Sequence, residues 1–73
     1  MNPGQEKFYH FILERVHVAH IEDAKALLAE SFSLQSQGTF NQEYLMSFIP
    51  KMLGYLKPEH IDEVKNIMMN YKV

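Results

Sequence analysis

Three of the chain's four histidines lie in the stretch FYHFILERVHVAH, at positions 10, 17 and 20, with Glu14 among them. Imidazole and carboxylate groups three or four residues apart share a helix face, which is the minimum for joint metal ligation. His10/Glu14, Glu14/His17 and His17/His20 have that spacing. His10 and His17 cannot share an ion: seven residues separate them by about 10 Å, while two imidazoles on one zinc bring their nitrogens within about 4 Å. Glu14-x-x-His17 is half of a di-iron motif, which requires a second copy on another helix and two further glutamates. The remaining histidine, His60 in PEHIDE, is followed rather than preceded by its carboxylate. The sequence therefore favours solvated histidines, with His20 half-buried and hydrogen-bonded, and assigns no metal ligand, cofactor or catalytic residue.

The element expected to carry these residues is a helix. Asn2-Pro3 with Gln5 has the form of an N-cap, a proline in the first turn and a capping box. At about 100° per residue, Glu6, Lys7, Glu14 and His17 fall within about 60° of His10. Phe8, Tyr9, Phe11, Ile12, Leu13, Val16, Val18 and Ala19 fill an arc of about 220° on the other side. A helix continuing from Gln5 to Gln37 would be about 50 Å long, too long for a compact domain of this size, so a turn is expected near Val18 to Glu22.

Three further signals divide the chain. Gly38 can take the positive φ that ends a helix, and Asn41 then caps the next, with Phe40 placed to staple against Leu45. Lys57-Pro58-Glu59 restarts the chain, because a residue before proline avoids helical backbone angles. Pro50, about nine residues into the third helix, is expected to kink or split it by clashing with the Met46 carbonyl. No alternating apolar pattern suggests a strand. The expected fold is all-α, a single domain over residues 1–73 built as a bundle of four or five short helices, with no internal repeat.

Composition removes several function classes. With no cysteine, disulfides and thiolate metal clusters are excluded. A net charge of −2, from seven basic residues that are never adjacent, provides no basic tract for nucleic acid or anionic membrane. No apolar run approaches the roughly 20 residues of a membrane span, and MNPGQEKF lacks the form of a signal peptide, so a cytoplasmic location is expected. No nucleophile elbow, phosphate-binding glycine loop or paired-carboxylate constellation points to an enzyme.

A core of 73 residues typically supplies about 3–5 kcal/mol. Against that, the first and third helices carry apolar arcs of about 220° and 200°, where one neighbour needs little more than about 100°. The second and last helices, at about 160° and 120°, read as ordinary one-sided helices. The surplus on the first and third is expected to meet a partner, either a second copy in a homodimer or another protein; the alternative is that these two helices form the centre of the monomer and the other two cover them. Tyr9, Phe11, Val18, Tyr44, Met52 and Tyr55 are the candidate contact residues, and Tyr9, Tyr44, Met52 and Tyr55 are of types enriched at interfaces. The competing readings are a helix-turn-helix DNA-binding protein, in which NQEYLMSFIPKML would have to read the major groove with one lysine, and a His/Glu metal-binding helical protein. The stretch QGTFNQEYL resembles the glycine-turn-then-capped-helix opening of short bacterial oligomerisation (SHOCT-type) modules. That likeness covers nine residues, rests on capping chemistry, and implies self-association.

Overall fold

The computed structural model describes residues 1–71. Four helices run α1 (Pro3–Leu13), α2 (Ile21–Gln37), α3 (Gln42–Leu53) and α4 (Ile61–Met69), with single 3₁₀ turns at Val18–His20 and Pro58–His60. The caps follow local chemistry. Asn2 Oδ1 accepts from the Gln5 N–H at 2.7 Å while Gln5 Oε1 accepts from the Asn2 N–H at 3.1 Å, which closes the capping box. Asn41 Oδ1 accepts from the Tyr44 N–H at 2.8 Å. Gly38 has φ +74°, and the Thr39 N–H that follows returns to the Leu34 carbonyl at 2.9 Å.

Two expectations are corrected. The first helix ends at Leu13, several residues before the expected turn, so His17, Val18, Ala19 and His20 lie outside it and their helical spacing no longer applies. Tertiary pairing causes the early stop: Val16 forms an isolated antiparallel bridge with Leu56, which forces extended backbone where no glycine or proline requires it. Of the kink or split expected at Pro50, the split does not occur: the third helix runs on to Leu53. Proline falls in its last turn, where its missing N–H removes one hydrogen bond to the Met46 carbonyl.

The absence of an internal repeat is also overturned. Residues 40 apart occupy equivalent places: α1, 3₁₀ turn and α2 are matched by α3, 3₁₀ turn and α4, and Leu13/Leu53, His20/His60 and Ile21/Ile61 coincide. The segment HIEDAK at 20–25 becomes HIDEVK at 60–65. Hydrogen bonding repeats as well. The His17 N–H donates to the Tyr55 carbonyl at 2.8 Å, and the Lys57 N–H donates to the Arg15 carbonyl at 2.9 Å, the same bond with the halves exchanged. An antiparallel bridge with reciprocal bonds is a local twofold axis, so the molecule is two helix–loop–helix units back to back.

That arrangement accounts for the wide arcs. Ile12, Val16, Leu28, Phe48, Met52, Leu56 and Val64 meet in one buried core, with Phe8, Tyr9, Phe11, Leu13, Tyr44, Leu53 and Tyr55 half-buried around it. Helices α1 and α3 spend most of their apolar surface inside the monomer. Exposed apolar side chains remain at Val18, at Met46 on α3, at Ile67 and Met69 on α4, which had read as one-sided, and at Tyr71 just past its end; Ile67 is 46% and Tyr71 50% exposed.

Candidate interaction site at the open end of the bundle

The Val16–Leu56 bridge ties the helices together at one end of the axis. At the other end, a half-open cavity of about 420 Å³ enters the bundle. Three pairs related by the 40-residue offset line it, Gln5/Leu45, Phe8/Phe48 and Ser31/Tyr71, so it straddles the axis. Phe32, Phe40, Ile67 and Met68 complete its apolar wall, and among the described residues none that lines it carries a charge.

Polar groups at the mouth are engaged with one another. Gln5 Nε2 donates to Gln35 Oε1 at 2.9 Å, linking α1 to α2. The Ser31 hydroxyl donates to the Leu28 carbonyl at 2.7 Å, within its own helix. No histidine, lysine or carboxylate lines the cavity to activate that hydroxyl. Phe40 sits edge-on to Tyr44 and Tyr71, with ring centroids at 5.3 and 6.1 Å. The volume and wall suit an uncharged, largely aromatic group.

α2 packs on α3, to which the short connection 38–41 joins it. Tyr44 ties the two helices: its hydroxyl donates to Glu30 Oε1 of α2 at 2.9 Å. Burial, and then the Glu30 carboxylate, push its ionisation well above the usual tyrosine range, so the phenol stays a donor.

The six expected contact residues do not line the cavity. Val18 is exposed in the first connection, at 75%. Phe11 lies under the Arg15 guanidinium, 3.8 Å from its ring centroid, and Tyr55 stacks on His20 at 5.2 Å. Tyr9 and Tyr44 are half-buried on the core. Met52 is 0% exposed, so its place is in the core packing and it cannot meet a partner in the folded chain.

The histidines serve local structure. His17 Nδ1 accepts from the Ala19 N–H at 3.1 Å and caps the first 3₁₀ turn. His20 Nδ1 lies 3.2 Å from Asp23 Oδ2, and His60 Nδ1 lies 3.5 Å from Glu63 Oε1, the same pair in each half. Among the described residues no three His, Cys, Asp or Glu side chains gather where they could hold a metal ion. Calcium-binding helix–loop–helix units use loops of about twelve residues rich in oxygen ligands. Here the connections 14–20 and 54–60 carry one carboxylate each, Glu14 and Glu59.

No family model, curated protein or solved structure matches this chain. The likeness of QGTFNQEYL to SHOCT-type modules accordingly stays at the level of its capping residues, Gly38 and Asn41, whose geometry the structure displays. Among the described residues no helix is long and apolar enough to cross a membrane. The helical projection put Ile67 and Tyr71 on the apolar face of the last helix without showing that they stay exposed, and it did not single out Gly4 or Gln5. The signal that exposes them is the 40-residue offset, which sets Gly4 and Gln5 against Tyr44 and Leu45.

Proposed function

We propose that this chain is a small non-catalytic interaction module that binds protein, either another chain or a copy of itself, through the open end of the bundle. The observation that carries the reading is the uncharged, aromatic-walled cavity with Ile67 and Tyr71 left exposed at its rim. Exposed apolar surface around a concavity is where soluble proteins meet partners. The lining supports a non-catalytic role, since its one aliphatic hydroxyl, on Ser31, has no neighbouring base. The helix-turn-helix alternative finds less support: α3 buries Leu45, Phe48, Ile49 and Met52, and its one cation is Lys51.

Sedimentation equilibrium from micromolar to millimolar concentration tests the reading. A dimer that Ile67→Glu returns to monomer, with the helical circular dichroism intact, supports self-association through this end. A dimer indifferent to Ile67→Glu moves the binding face elsewhere. A monomer at every concentration leaves another protein as the partner.

A further inference from the structure

The bonds that join the two halves do not depend on the connection between them. The Val16–Leu56 bridge, the His17–Tyr55 and Lys57–Arg15 backbone bonds, the Arg15–Glu63 ion pair and the Tyr44–Glu30 bond all link residues 1–37 to residues 42–71. In the connection 38–41, the Gly38, Thr39 and Phe40 N–H groups return to Leu34 and Gln35 of α2, and Asn41 caps α3. What folds the second half back onto the first is a reversal at Gly38, whose φ of +74° is one that side chains rarely allow.

The core distinguishes the halves by size. Val16 and Leu56 are equivalent, as are Ala24 and Val64, and all four are buried in the common core. The second half is the larger at both places, by one methylene at Leu56 and by two at Val64. Two second halves packed together would have to house three more methylenes than the observed core, and two first halves would leave as much unfilled. Overpacking and cavities both destabilise, so the faces select unlike halves.

We infer that the face between the halves also docks a second copy of this chain: two chains exchange, the first half of each seating on the second half of the other, with the reversal at Gly38 deciding between the closed and exchanged forms. The docked geometry is the one the monomer displays, because the exchanged pair reuses every bond between the halves. A short tether gives closure within one chain an effective concentration on the order of millimolar. Exchange therefore sets in near that protein concentration, and lower once the turn is strained. The inference is independent of the open end's binding role, since the surface used lies between the halves.

Two full-length variants test the exchange. Ile12→Glu buries a charge in the first half and Met52→Glu in the second, and neither alone is expected to show helical circular dichroism. Refolded together from urea, they can build one intact unit from the second half of the Ile12→Glu chain and the first half of the Met52→Glu chain. The mixture is expected to recover about half of the parent's helical signal, at twice the monomer mass. With only the Met52→Glu chain labelled with ¹⁵N, its His17 amide should gain protection from exchange when Ile12→Glu is added, because the Tyr55 carbonyl it donates to then belongs to the other chain. A mixture no more helical than its components overturns the exchange, and a folded dimer of either variant alone overturns the pairing of unlike halves. A third chain decides the matter if glutamate is tolerated. Deleting Gly38 and Thr39 removes the reversal and leaves both halves whole, so this chain is expected to be a dimer at micromolar concentration with the parent's amide spectrum at residues 15–17 and 55–57. A folded monomer or an unfolded chain overturns the inference. Adding Ile67→Glu should leave that dimer intact; its dissociation would assign the contact to the open end and overturn the exchange.

Discussion

The two helix–loop–helix halves share a backbone plan and differ in how fully each is packed. In the first, α2 has 17 residues and its inner face is covered: Leu27 and Ser31 are buried. In the second, α4 has nine, and the equivalent Ile67 and Tyr71 stand half in solvent. The bridge end obeys the twofold relation down to single hydrogen bonds, whereas the open end departs from it residue by residue. Symmetry at one end supports a common scaffold, and at the other the described side chains of the two halves no longer match.

The largest expected effects lie where the halves agree. Ile12 and Met52 are equivalent and both fully buried. Truncating either to alanine leaves a cavity in the same core and should cost about 2–5 kcal/mol. For a domain this small that is most of the stability, so urea unfolding of Ile12→Ala and Met52→Ala should give similarly low midpoints. A mild effect in one and loss of folding in the other would break the equivalence of the halves.

The next pair tests the place where they diverge. Leu27→Ala should cost about 2–3 kcal/mol, because the side chain is 9% exposed and packed. Ile67→Ala should cost under about 1 kcal/mol, since nearly half of that residue already faces water. Equal penalties would mean that α4 is as well covered as α2. Capping sharpens the comparison at smaller cost: Asn2→Ala and Asn41→Ala should each lose about 1 kcal/mol. Asn2→Ala should lose slightly more, as only α1 has the reciprocal Gln5 bond. Thermal melts of the two variants check this.

Local chemistry was legible in the sequence where one residue decides the backbone. Asn2, Gly38, Asn41 and Pro58 mark element starts and ends through groups within a few positions of themselves, and the structure places them there. The end of α1 was not legible, because its cause is Leu56, forty residues away. The cavity was hidden for a related reason. A helical projection measures how much apolar surface a helix has, while exposure depends on what the neighbouring helix brings. The arc of α1 is wide and covered; that of α4 is narrow and partly bare. Comparing HIEDAK with HIDEVK would have revealed the register, and with it the unmatched Gly4 and Gln5.

The smallest expected effect concerns charge. Arg15 Nε donates to Glu63 Oε1 at 2.8 Å, tying the first connection to α4, while the equivalent Tyr55 stacks on His20 instead. The bond from Arg15, chiefly, and the nearby His60 hold the Glu63 carboxyl below its usual range. A carboxylate whose proton affinity is lower in the folded chain stabilises it above the ordinary carboxylate range. That contribution disappears as pH falls through this range toward the lowered folded value, since the unfolded chain takes up the proton first. Glu63 is solvent-exposed and the pair is screened, so the effect on stability is small and should shrink further in high salt. Urea midpoints measured at about pH 6 and about pH 3 should fall less steeply in Glu63→Gln than in the parent chain. Arg15→Gln should flatten the same step, and Tyr55→Phe should leave it unchanged. If Tyr55→Phe flattened it equally, the two connections would be electrostatically alike and this difference between the halves would vanish.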